Sequence, residues 1–393
     1  EKIAGESSLN QLLDNHNRRR GIITMGLPYL SLMDVLEKVS EKPDVLKLGF
    51  VYPIPGTLVE AFVRSHDEVK ILEELDDILE KDIKSLAYDA GLKTRILGKM
   101  DPEAWIGEYT SDKVQCVLAG TWPDMLEARN PEARIPQEVV ERPPQMCPGC
   151  GHRSAFHAIK KALSSQDITV ADIGCHTLGY LPPYEMGQIM MCMGASPGVG
   201  SGLSLFNTSR KVVVFMGDST FFHAGLPGIL NSVFNQHPIT LILMENGTTA
   251  MTGHQDHAAV GENFNGPTEK VPVRQVLEGL GVKHLYEVDT YQQSKLTELV
   301  KAAVENPEFS VVIARHPCML KFTREARRKP GYQVRQVRIE QDLCNQKHVC
   351  VASFGCPTFT RHDDGKVTIN PDLCIGDGSC LQTCPTRAIE KPR

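Results

Sequence analysis

The 393-residue sequence contains no run of eighteen or more apolar residues, so it offers no candidate membrane-spanning helix. It carries no positive excess either. Its 42 Lys and Arg against 48 Asp and Glu leave a net charge of -6, which argues against nucleic acid as a partner because nothing would neutralise a phosphate backbone. The opening EKIAGESS lacks the basic, apolar and small-residue regions of a signal peptide, so a cytoplasmic protein with no membrane partner is expected. The first residue is Glu1 rather than methionine, which suggests a fragment or a processed chain. With 41% hydrophobic and 23% charged residues, the composition is that of a soluble globular protein with room for two or three domains.

The informative excess is in cysteine, of which there are twelve. Cys147 and Cys150 sit three apart, Cys175 and Cys318 stand singly, and six fall between Cys344 and Cys384. In a reducing compartment such clusters more often hold metal than form disulfides; a secreted disulfide module in the last part of the chain is the weaker alternative.

Along the chain, residues 1–20 read as a tail, and 21–110 as a small α/β unit whose apolar runs suggest parallel strands. Residues 111–145 gather prolines and read as a surface linker. The block 146–319 contains four β-branched runs, DITVADIGC, KVVVFMGD, ITLILMEN and FSVVIARHPC, of the kind that strands buried on both faces of a parallel sheet require. They end at Cys175, Asp218, Asn246 and Cys318. Ligands of open α/β sheets collect outside the carboxyl ends of the strands, so these four ends should converge. A basic stretch, 320–336, reads as a solvated linker before a Cys-rich module at 337–393.

Gly217, Asp218 and Ser219 follow one buried strand and Asn246 follows the next, 28 positions later, the length of one strand–helix–strand crossover. A carboxylate, an amide oxygen and a backbone carbonyl near Thr248 could supply the protein's share of an octahedral magnesium site, with Gly217 allowing close approach of a diphosphate. The pair resembles the thiamine diphosphate motif. Three further stretches, CPGCGHR at 147–153, DIGCHTLG at 172–179 and TGHQDH at 252–257, with MGASPGVGSGLS, resemble the large subunit of indolepyruvate:ferredoxin oxidoreductases. That likeness covers nearly the whole chain but for the family's N-terminal pyrimidine-binding domain.

The resemblance implies an α/β fold. A parallel-sheet thiamine-diphosphate domain would follow a smaller transketolase C-terminal-like domain and precede an α+β ferredoxin-like module. It assigns magnesium to Asp218 and Asn246, and brings Gly149, Gly174 and the segments of His152, His176 and His254 close to the cofactor, with these histidines as catalytic candidates.

The last cysteines form two runs, Cys344, Cys350, Cys356-Pro357 and Cys374, Cys380, Cys384-Pro385. In ferredoxin-like runs the last cysteine ligates the other cluster, so crossed pairing gives Cys344, Cys350 and Cys384 to one site and Cys374, Cys380 and Cys356 to the other. The position of a further cysteine is taken by Lys347 in the first run and Asp377 in the second. Asp377 can complete a four-iron site, labile or in three-iron form, whereas an ammonium has no lone pair to offer. A degenerate module without one or both clusters is the alternative. Related pyruvate enzymes imply a proximal cluster at Cys147, Cys150, Cys175 and Cys318, the alternative being four buried thiols.

The implied activity is oxidative decarboxylation of an aryl 2-oxoacid, with electrons passed through iron–sulfur clusters to ferredoxin and the acyl group taken by coenzyme A. A small beta subunit and assembly into a homo- or hetero-oligomer are expected with it. Glu73 and Glu74 resemble helix N-terminal partners rather than the activating glutamate, so the chain alone should bind the cofactor without turnover. A non-oxidative thiamine-dependent decarboxylase and an inactive electron-transfer or assembly subunit are the other readings.

Overall fold

The computed structural model describes residues 2–127, 143–207 and 209–391, in two compact units divided at Val140 and Glu141. The first unit is a five-stranded sheet in the order Gln11–Leu13, Asp44–Leu48, Arg20–Met25, Glu68–Leu72, Arg95–Leu97. Four strands are parallel, and the first is an antiparallel edge. Residues 11–13, expected within a tail, therefore belong to the sheet. The expected linker also differs. Ser111–Thr121 is a helix, capped by the Thr110 hydroxyl, whose Val114 and Leu118 are buried in the same core as Ile22 and Leu32. Its apolar spacing outweighed the prolines that suggested a loop; the later part of that expected linker, 128–142, lies outside the described residues.

The second unit contains a wholly parallel sheet in the order Ile168–Val170, Val212–Gly217, Ile239–Glu245, Ser310–Arg315, His284–Asp289. Alternate side chains of its strands enter opposite cores. Val213, Phe215, Ile242 and Val312 pack on one face with Phe156 and Leu296, and Val214, Met216, Leu241 and Ile313 on the other with Ile229 and Leu277. Burial on both faces explains why these runs read as unbroken Val, Ile and Leu rather than alternating with polar residues.

The Cys-rich module is built from two short antiparallel pairs, Arg338–Ile339 with Ile389–Glu390 and Phe359–Arg361 with Val367–Ile369. Its core is small, centred on Val337, Phe354, Phe359, Val367 and the buried Cys374 and Cys380. The expected basic linker before it is helical in its first half, within Met319–Ala326, which starts directly after Cys318. Among the described residues no helix is long and apolar enough to cross a membrane.

Candidate functional site

In the parallel register Gly217 lies beside Met244, and Glu245 beside Arg315, so Asp218, Asn246 and His316 leave the sheet at one edge. Asp218 is 2% exposed. Its Oδ1 accepts from the Ser219 amide at 2.9 Å, and its Oδ2 accepts from the Asn246 and Gly247 amides at 2.9 and 2.7 Å. Three backbone donors thus hold a buried carboxylate at the crossing of two strand ends. Asn246 Oδ1 accepts from the Thr248 amide at 3.0 Å, and Asn246 O accepts from the Cys318 amide at 2.9 Å, which ties a third strand end to the same point. After Asp218 the helix opens into a π turn at Phe221–Gly225, a form often found at functional sites.

A cleft beside these residues is lined by His152, Gly174, Cys175, His176, Gly217, Asp218, Ser219, Asn246 and Thr248, with the 249–252 segment along one side. The Ser219 hydroxyl accepts from Thr249 Oγ1 at 2.7 Å. At Gly217 an added Cβ would meet only the His176 ring, at 3.6 Å, so the bare backbone keeps the cleft wall open rather than relieving a clash in the chain. His152 and His176 are buried with parallel rings, 6.3 Å between centroids. Burial pushes His152 down to about 4 and His176 to about 3, so both are neutral at physiological pH. His176 Nε2 is buried and has no partner within the described residues.

A hard cation and its phosphates fit this chemistry. One carboxylate and one amide oxygen face a cleft whose buried polar atoms are incompletely satisfied, and magnesium bound through phosphates needs few protein ligands. His254 departs from expectation: it does not line the cleft but lies with Nε2 3.7 Å from Cys318 Sγ. His257, three residues on in the same motif, is fully buried and stands 3.2 Å from Asp218 Oδ2. Asp172 was also missed. Its carboxylate accepts from the amides of Ile173, Gly194 and Ser196 and so holds the cleft's glycine-rich loop. An aspartate within the apolar run DITVADIGC was the available signal.

The thiols fall into three neighbourhoods. Cys175 is pushed up to about 12 by burial, with Cys150, Cys318, Cys147 and the Asp218 carboxylate acting the same way. Burial pushes Cys350 up to about 11, with Cys344 and Cys384 adding to it, and these three line one small cavity with Lys347. Burial also raises Cys380, reinforced by Asp377, Cys356 and Cys374. Buried thiolates crowded in this way repel one another unless a cation lies among them, the condition that cluster iron supplies. Among the described residues no group of three or more His, Cys, Asp or Glu side chains is placed to hold a single metal ion. The proximity is therefore of neighbourhoods.

Asp377 Oδ2 accepts from the Ser379 amide at 2.8 Å and lies beside the Tyr291 hydroxyl, which donates to Gly149 O at 2.7 Å. Gly149 has a positive φ of 69°, and a Cβ there would overlap Ile375. The CPGC loop thus packs directly on the ferredoxin-like module. In the first unit, Glu73 accepts from the Leu79 and Glu80 amides at the start of the helix Ile78–Asp89, the helix-partner role expected for it.

Residues 172–314 match the family model of the thiamine pyrophosphate enzyme C-terminal TPP binding domain, and 367–390 match that of the 4Fe-4S binding domain. The chain is 34% identical over 99% of its length to the indolepyruvate oxidoreductase subunit IorA of Methanothermobacter marburgensis, of which it covers 63%. It is equally identical over 98% of its length to the subunit of that name from Pyrococcus abyssi, covering 62%. The 2-oxoglutarate synthase subunit KorB of Methanothermobacter thermautotrophicus is 24% identical over 53% of this chain and 77% of its own. The chain thus spans a little under two thirds of the IorA subunits it matches. The chain is thus similar along nearly its whole length to the IorA subunits, and within it lie matches to a TPP-binding domain and a 4Fe-4S binding domain.

Proposed function

We propose that the chain forms the thiamine-diphosphate and iron–sulfur part of an oxidoreductase that converts an aryl 2-oxoacid of the indolepyruvate type, with coenzyme A, to an acyl-CoA and carbon dioxide. Two electrons leave one at a time through iron–sulfur clusters to two molecules of ferredoxin. The observation that carries this reading is the meeting of Asp218 and Asn246 at adjacent strand ends, in a cleft whose wall includes Cys175. A non-oxidative decarboxylase would need the cleft but not the thiols. Their grouping and the 4Fe-4S match favour the oxidative reaction.

Thiamine diphosphate, when bound, supplies the electron sink for cleavage of the bond between the 2-oxo carbon and the carboxylate. Asp218, Asn246 and the Thr248 carbonyl would hold its magnesium. His152 and His176, neutral through burial, orient ligand groups by hydrogen bonds without adding positive charge, and the unpartnered His176 Nε2 is the atom available for this. Cys147, Cys150, Cys175 and Cys318 would hold the nearest cluster, and the crossed sets of the module the others, with Asp377 as an oxygen ligand. Among the described residues no glutamate lines the cleft, so activation of the cofactor ring calls on a group from outside it. A small beta subunit and ferredoxin are the partners this reading requires.

Titration calorimetry with thiamine diphosphate and magnesium tests it: Asp218→Ala should abolish binding, and retained affinity would overturn the cofactor site. Anaerobic iron and sulfide analysis should find iron. Iron-free protein, protected from oxygen throughout, would return the reading to a non-oxidative enzyme.

A further inference from the structure

Arg153, the last residue of CPGCGHR, is 1% exposed and cannot shed its proton. It lies in the helix Gly151–Lys160 with the Cys147–Cys150 loop on one side and the ferredoxin-like module on the other. Nη2 donates to Met146 O and, at 3.2 Å, to Cys147 O. Nη1 donates to Gly355 O, to Phe354 O at 3.5 Å and to the Tyr184 hydroxyl at 3.4 Å. Among the described residues Nε has no partner, and the guanidinium's bonds go to carbonyls and one hydroxyl rather than to a carboxylate.

A buried cation is costly unless an anion compensates it, and carbonyl dipoles do so only in part. The guanidinium bonds the Met146 and Cys147 carbonyls on one side and, on the other, the carbonyl of Gly355, the residue before Cys356, so it stands between two groups of thiols that become anions when they ligate iron.

We propose that Arg153 is a positioning residue shared by two clusters, the one at Cys147, Cys150, Cys175 and Cys318 and the one containing Cys356, and that its fixed charge raises the reduction potential of both while its planar fork holds the loop and the module at one spacing. This rests on the cluster reading above. A thiolate-ligated cluster is anionic and gains one more negative charge on reduction, so a nearby cation stabilises the reduced form more than the oxidised one. The fork matters as well as the charge. One guanidinium reaches carbonyls on both sides at once, whereas an ammonium on a single stem is a point charge that can approach only one.

The test is an anaerobic redox titration of the iron-loaded chain followed by electron paramagnetic resonance, with the two signals assigned by their loss in Cys318→Ala and Cys356→Ala. Arg153→Met should move both midpoints to more negative potential. Both signals present with unchanged midpoints would overturn the role of Arg153 and leave the clusters standing. Absence of either signal from the unaltered chain would overturn the cluster reading, and this inference with it. Should Arg153→Met fail to assemble clusters, Arg153→Lys decides: a negative shift at one midpoint with the other held near its original value is expected, and no shift at either overturns the proposal.

Discussion

Asp218 shows how a single side chain couples local structure to ligand chemistry. Its carboxylate accepts three backbone N–H groups, which fixes its position before any ligand arrives. Asp218→Asn preserves its shape but turns an NH2 donor toward backbone donors and removes the charge that attracts a cation. A loss in magnesium-dependent cofactor affinity on the order of 10–100-fold or more is expected, measured by calorimetry; affinity within a factor of two of the original would contradict the assignment. In the cluster proposed for Cys374, Cys380 and Cys356, Asp377 takes the place of a fourth thiolate. Asp377→Cys should convert a labile or three-iron centre to a stable four-iron one, and Asp377→Ala should not, as read by electron paramagnetic resonance after air exposure. Both residues were legible in the sequence, because Gly-Asp ending an apolar run and Asp within a cysteine run are local patterns. His257 was not. It and His254 belong to one motif, and only the turn of the loop, with His254 at a φ of 67°, decides which faces Asp218.

At the scale of elements, the contact between the helix Gly151–Lys160 and the ferredoxin-like module is the sensitive joint. His157, on that helix, contacts Ser353 O at 3.3 Å and meets the Phe354 ring edge-on at 5.5 Å. Burial pushes His157 down to about 4, with the Lys161 charge adding to it. Because the folded value lies below the unfolded one near 6.5, the unfolded state binds the extra proton between the two. Stability is therefore full above about pH 6.5 and falls as pH drops toward 4. At pH 5 the loss is about 2 kcal/mol for this one group, and His157→Phe should flatten the slope of urea-unfolding free energy over that window. A variant with the slope of the original chain would remove His157 as its source. Gly149→Ala forces a side chain into left-handed backbone and against Ile375. A destabilisation of at least about 1–2 kcal/mol by the same measurement is expected, and a neutral effect would mean that the loop and module do not pack as described.

For the whole molecule, the chain covers 62–63% of the IorA subunits it matches. Among the described residues its cleft is lined by histidines, oxygens and the Cys175 thiol, and by no glutamate. On the proposed function, aryl-pyruvate-dependent reduction of a low-potential acceptor is expected only when a glutamate from outside this cleft and the small subunit are supplied; turnover by this chain alone would contradict that. The sequence by itself determined the parallel sheet of the second unit, since strands covered on both faces leave an unbroken apolar signature, and it determined the ends at Asp218 and Asn246 through the length of one crossover. It misplaced the helix Ser111–Thr121, where nearby prolines masked a weak amphipathic signal, and the edge strand Gln11–Leu13, too short for any period to show. Only the tertiary structure decided that Asp172 ties down the glycine-rich loop and that Arg153 lies between two groups of thiols. Those relations join residues as far apart as Cys147 and Gly355. Spacing within a motif records local geometry, but the docking of one packed element on another is set by shape and burial that no local pattern carries.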